Sequence, residues 1–151
     1  MPWKRSGGVY HKPVWIWIIN SDNKILIQKR AAIKKKSPNL WDMPSAGHVV
    51  VGETSIEGAI RETKEELGIN TKESDYEYIG EYIYDKNFEI AQIYLAMLDT
   101  NINFKLQREE VAEVKWVTLD EFKEVFYSDR FCAHDKEYKD MIVKLFEERL
   151  K

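Results

Sequence analysis

The chain has 151 residues, 44% hydrophobic and 13% aromatic, which suffices for one domain with a real core and leaves too little for two. A formal net charge of −3 argues against duplex nucleic acid as a partner, and a single cysteine excludes an internal disulfide and suits a reducing cytoplasm. One cysteine and three scattered histidines make a structural zinc site a poor expectation, and no run approaches the roughly 18 apolar residues of a membrane span.

In chain order, the first dozen residues, with Gly7 and Gly8, read as an irregular lead-in. Val14 to Asn20 is dense in β-branched and aromatic residues and predicts a buried strand. Ser21-Asp22-Asn23 is turn chemistry, and Ile25 to Arg30 predicts the second arm of a hairpin. Lys34 to Pro38 is a basic loop, and Trp41 to Val51 reads as a loop feeding a short strand. Thr54 with Glu57 is a capping-box pair that opens a helix running to Leu67, with Gly68 as its stop. Ile56, Ala59, Ile60, Thr63 and Leu67 share its sheet-facing side. Tyr76 to Tyr84 and Glu89 to Leu98 predict two strands around Asp85-Lys86-Asn87, and Val114 to Val117 another. Thr118 and Glu121 repeat the capping pair before a short helix, and Asp135 to Leu150 predicts a last amphipathic helix with Tyr138, Met141, Ile142, Leu145 and Phe146 inward. Strands, one central helix and terminal helices, with no linker or repeat, point to one α/β sandwich over residues 1–151.

Glu62, Glu65 and Glu66 stand at i, i+3 and i+4, so their carboxylates share a helix face. Like charges at that spacing cost about 0.2–0.5 kcal/mol per pair, and the helix C-terminus disfavours each anion by about 0.3–1 kcal/mol. Such penalties are small, and on three glutamates alone a solvated acidic face is favoured over a cation site. Clustered hard oxygens would suit Mg²⁺ or Mn²⁺.

The longer pattern separates these readings. Gly47, five residues, Glu53, seven residues, then Arg61-Glu62-Thr63-Lys64-Glu65-Glu66-Leu67-Gly68-Ile69 resembles the Nudix box, G-x5-E-x7-R-E-U-x-E-E-x-G-U, at every fixed position. The soft departure is Thr63, where a larger aliphatic is usual. The resemblance implies an α/β/α sandwich with a mixed central sheet and a metal-dependent pyrophosphohydrolase. In it Glu62, Glu65 and Glu66 would bind Mg²⁺ (or Mn²⁺), with the Gly47 carbonyl region adding an oxygen, and Glu53 would pair with Arg61. The general base in this family often lies outside the box, and Glu89 and Glu110 are equal candidates.

The stretch before and through the box resembles one branch more closely, the isopentenyl-diphosphate isomerases and the hydrolases similar to them. The shared residues are His11, Asn20, Gln28-Lys29-Arg30, Lys34, Pro38, Trp41 and Gly47-His48. By this resemblance Arg30 and Lys34 would contact the substrate diphosphate, while His11, His48, Glu66 and Glu89 would fall at metal or catalytic positions. The isomerase cysteine is replaced by Ala46, a second metal histidine falls near Lys4, and Glu62 stands where the isomerases carry arginine. The hydrolase set is complete, so an isomerase is the weaker expectation, and a non-catalytic nucleotide sensor is weaker for the same reason.

Arg30 and Lys34 could clamp a phosphate, Arg by its bidentate fork, or belong to a solvated basic loop with Lys35 and Lys36 facing solvent. His48 is either a metal or phosphate contact or a polar strand start, and His134 is expected at the surface. Trp15 and Trp17 point to one strand face, where a core or dimer-interface role is favoured over stacking on a nucleobase, with Tyr10 and Tyr94 weaker versions of the same choice. The sequence therefore predicts a cytoplasmic hydrolase acting on a small-molecule diphosphate, without duplex nucleic acid or membrane as partner and compatible with a homodimer. The strand pattern begins almost at once, so an N-terminal extension seen in relatives is expected to be missing.

Overall fold

Eight consecutive buried residues, Pro13–Asn20, form strand β3, and its pleat sends alternate side chains to two different cores. Val14, Ile16 and Ile18 pack with Ala59 and Leu67 of helix α1 (Ser55–Leu67), whereas Trp15, Trp17 and Ile19 pack with helices α2 (Leu119–Phe126) and α3 (Lys136–Arg149). The sheet is therefore sandwiched between α1 on one face and α2 with α3 on the other. The computed structural model describes the backbone of residues 3–5 and 8–10 and all of residues 11–150. Lys4 and Tyr10 have side chains outside the described residues, as does Gly7 altogether.

Where the sequence predicts an irregular lead-in, strands β1 (Trp3–Arg5) and β2 (Gly8–Tyr10) pair antiparallel. The main sheet runs β5 (Trp41–Asp42), β4 (Ile25–Arg30), β3, β8 (Glu89–Leu98), β7 (Tyr76–Tyr84). Strand β6 (Ser45–His48) joins β3, and β9 (Val111–Val117) joins β4 and starts three residues earlier than the patterning predicts. The pairing β3–β8 is parallel and the others are antiparallel, so the sheet is mixed. The β3–β4 hairpin pairs only at Ile19 and Ile25, next to its turn. That turn is held by the Asn20 side chain, which accepts from the backbone N–H groups of Asp22 and Lys24 at 2.9 and 3.0 Å.

Both predicted capping boxes are present, and Gly68 ends α1 in the left-handed conformation (φ 71°) that a side chain would resist. Beyond it, Lys105 and Gln107 donate backbone N–H groups to the carbonyls of Leu67 and Glu66, so the loop before β9 is sewn onto the end of α1. Thr63 is fully buried, and its hydroxyl donates to Ala59 O at 2.8 Å while accepting from the Tyr76 hydroxyl at 3.1 Å. A polar side chain is tolerated at that packing position because both of its hydrogen-bonding needs are met. Ile60 is only half-buried and stands outside that core. Among the described residues no helix is long and apolar enough to cross a membrane.

Candidate active site

A cavity of about 650 Å³ opens where α1, β6, the loop after β4 and the loop before β9 meet. Its walls hold Gly47, Glu62, Glu65 and Glu66 from the box, Arg30, Lys34 and His48 from the basic set, and both base candidates, Glu89 and Glu110. Strand alternation and helical spacing put them there. β6 runs antiparallel to the start of β3, which places Gly47 under α1. A Cβ on Gly47 would run into the Glu62 carboxylate, so glycine is the residue that lets the strand pass this close.

The glutamates differ in setting. Glu66 is buried at 8% exposure, receives a hydrogen bond from the Ala46 backbone, and faces the Glu62 carboxylate. Burial first, then Glu62, pushes its carboxyl up to about 9. A buried carboxylate facing a half-buried one favours a shared proton or a cation between them. Glu65 is half-exposed. Arg61 Nη1 bridges Glu62 and Glu65 at 3.1 and 3.2 Å, and no three acidic, histidine or cysteine side chains among the described residues are arranged about one point. The donor set still fits a hard divalent cation: oxygens only, with the Glu66 carboxylate facing that of Glu62 at the cavity wall. Glu53 takes the other side of Arg61 as a bidentate pair at 2.8 and 3.1 Å and also accepts from Val50 N–H, while Arg61 Nη2 donates to His48 O. The arginine thus ties the 48–53 turn to α1 and holds Glu53 below the usual carboxylate range.

The raised Glu66 carboxyl has a consequence in pH. Its folded value lies above the unfolded one, so stability from this group is fully present below about 4.5 and is lost as pH rises toward about 9. A divalent ion held by Glu66, as the box resemblance implies, would have to displace that proton. Mn²⁺ affinity is therefore expected to rise with pH, by at most about tenfold per unit, until it levels near pH 9. Titration calorimetry across that range checks it. A flat profile, or an equal slope in Glu66→Gln, would refute the assignment.

The basic residues are largely engaged by the protein. Arg30 donates Nε and Nη2 to Lys36 O and Nη1 to Asp42 Oδ2, which closes the 31–40 loop. Lys34 Nζ meets both Glu110 carboxylate oxygens at 2.8 and 2.9 Å, so a phosphate-clamp candidate and a base candidate neutralise each other. Lys35 and Lys36 are exposed. His11 joins Glu89 through a backbone bridge, and its ring stands 5.4 Å from that of the exposed His48. Glu89 is half-buried and burial raises its carboxyl, against the attraction of His48. Trp17 is fully buried, and Trp15, at 6% exposure, shows only an edge to the cavity. Tyr94 is buried in the core under α1.

Two residues correct or extend the sequence reading. His134, expected at the surface, packs against Trp15, Phe126, Phe131 and Tyr138, with Nε2 buried and unpaired; burial lowers its pKa. Asp42 was not singled out, yet its carboxylate lines the cavity beside Glu66. The sequence signal was slight, an acid next to Trp41 in a segment read as loop, and its register opposite Gln28 on β4 is a tertiary fact.

The NUDIX domain model matches residues 9–137. The chain belongs to the Nudix family. An uncharacterized Nudix hydrolase of Listeria innocua is 35% identical over 132 residues, 87% of this chain and 77% of that protein. Nudix hydrolase 3 of Arabidopsis thaliana is 34% identical over 128 residues, and this chain spans 17% of its length. An isopentenyl-diphosphate Delta-isomerase of Dinoroseobacter shibae is 33% identical over 119 residues, 76% of this chain and 66% of that one. In structure, the MutT protein of Methanosarcina mazei Go1 matches with a TM-score of 0.68 at 21% identity, covering 93% of this chain and 94% of that one. A bifunctional NMN adenylyltransferase/ADP ribose pyrophosphatase of Francisella tularensis, complexed with AMP and a Mn ion, matches with a TM-score of 0.66 at 21% identity, covering 92% and 42%. These neighbours share the Nudix α/β sandwich, and relatives named as hydrolases put this Nudix protein among the pyrophosphohydrolases.

Proposed function

We propose that this Nudix domain, residues 1–151, is a Mg²⁺-dependent hydrolase that cleaves the diphosphate linkage of a nucleoside di- or triphosphate or a nucleoside diphosphate derivative. The observation that carries it is the buried Glu66 carboxylate facing the half-buried Glu62 carboxylate on the wall of a 650 Å³ cavity. A structural neighbour whose name includes ADP ribose pyrophosphatase supports the substrate class. Glu62, Glu65 and Glu66, with the Gly47 carbonyl region, would hold the divalent ions. Bound there, such ions would lower the pKa of the attacking water and neutralise the leaving phosphate.

Glu89 is the better-supplied base. Burial raises its carboxyl, which makes it a stronger base than an ordinary carboxylate, and it carries no ion pair like that of Glu110 with Lys34. Glu89→Gln is expected to lower kcat by about 10²–10⁴-fold, and Glu110→Gln far less. Steady-state kinetics decides, and the opposite ranking would move the role to Glu110. Lys34 and Arg30 would meet substrate phosphates, Lys34 by exchanging Glu110 for the incoming anion.

Isomerase chemistry is the weaker reading. Ala46 cannot transfer a proton, and Cys132, though folded close to Asp42 and Arg30, has its thiol pushed up to about 12 by burial. The enzyme would work in a reducing cytoplasm on a small molecule, with a homodimer as the simplest symmetric assembly. A panel of nucleotides, nucleotide sugars, dinucleoside polyphosphates and isoprenoid diphosphates, with Mg²⁺ or Mn²⁺, tests this. Phosphate or monophosphate release that chelation stops is the expected outcome. Double-bond migration in an isoprenoid, or tight nucleotide binding without turnover, would replace this reading.

A further inference from the structure

Gln28 is an expensive residue for its position. On β4, Ile25 and Ile27 face the core under α2 and α3, Leu26 faces α1, and Gln28 follows Leu26 to the α1 side. The residue is 5% exposed. Nε2 donates to Pro44 O at 3.2 Å and to Glu66 Oε1 at 3.4 Å. A carbonyl oxygen can only accept, so the contact with Pro44 fixes which end of the amide points inward. Oε1 is buried without a donor from the protein, which makes the amide costly unless its Nε2 contacts are needed. Glu66 is thus held from two sides, by the Ala46 backbone and by Gln28.

We propose that Gln28 is a positioning residue: its Nε2 hydrogen bond fixes the Glu66 carboxylate in the orientation that divalent-ion binding requires. The inference rests on the reading of Glu66 as a metal ligand. An outer residue that orients a ligand is worth about 10–100-fold in metal affinity.

The test is Mn²⁺ binding, by titration calorimetry and electron paramagnetic resonance, to Gln28→Leu, Gln28→Met, Glu66→Gln and the double variants. Both Gln28 variants keep the side-chain length or bulk and are expected to keep the melting temperature, while Mn²⁺ affinity falls about 10–100-fold. In the Glu66→Gln background, whose residual affinity rests on Glu62 and Glu65, replacing Gln28 is expected to add nothing. A purely structural role would lower affinity equally in both backgrounds, and that result overturns the proposal. So does wild-type affinity, within about twofold, in either single variant. Variants that fail to fold also count against it, because the amide would then serve stability first. Wild-type Mn²⁺ affinity in Glu66→Gln alone would instead remove the metal reading itself, an outcome separable from the others.

Discussion

Glu66→Gln is expected to lower turnover by about 10²–10⁴-fold while leaving the fold intact. Divalent-ion stabilisation of a phosphoryl transition state is worth several kcal/mol, and each 1.36 kcal/mol is about tenfold in rate. The substitution is nearly isosteric, so packing around a residue that is 8% exposed changes little. It also removes the repulsion between the buried Glu66 carboxylate, once ionised, and that of Glu62. The metal-free variant should therefore melt no lower than wild type above neutral pH, and higher if Glu66 is ionised there. Activity and stability move in opposite directions, which separates a lost ligand from a damaged fold. Kinetics with Mg²⁺ alongside thermal melts would check both, and more than about a tenth of wild-type turnover would take Glu66 out of the chemistry.

Trp17→Ala is the largest expected loss of stability, about 3–5 kcal/mol. Trp17 is fully buried at the centre of an aromatic cluster, with Phe122, Phe126, Phe131 and Phe146 at ring-centroid distances of 5.5, 5.6, 6.4 and 5.7 Å. Its Nε1 donates to the Tyr138 hydroxyl at 2.9 Å, so the substitution opens a cavity and strands a buried phenol as well. Domains are stable by only about 5–15 kcal/mol, so much of the margin goes. Trp17→Phe, which keeps a ring and loses the hydrogen bond, should cost roughly 1–2 kcal/mol. Urea unfolding measures both. A loss under about 1 kcal/mol for Trp17→Ala would mean that the tryptophan does not anchor α2 and α3 to the sheet.

Local chemistry settled much of this protein. The capping pairs Thr54–Glu57 and Thr118–Glu121, the stop at Gly68, and the run Pro13–Asn20 act through neighbours a few residues away, so they are legible in a linear chain. The box from Gly47 to Ile69 is likewise local, and with it came the family and the class of reaction. Other features depend on where remote segments meet, which no short-range preference encodes. Lys34 finds Glu110 because β4 and β9 pair antiparallel, with a register shift between Lys29 and Arg30, and carry their flanking loops together. His11 reaches Glu89 through the parallel alignment of β3 with β8. His134 is covered only once α3 brings Tyr138 against Trp15 of β3. Asp42 and Gln28 stand opposite each other at the cavity because β5 adds to the edge of β4. By itself, then, the sequence determined which elements form and which residues carry charge. Which of those charges are spent on one another, and which stay facing the cavity, was decided by long-range strand register, whose partners are distant along the chain and adjacent only after folding.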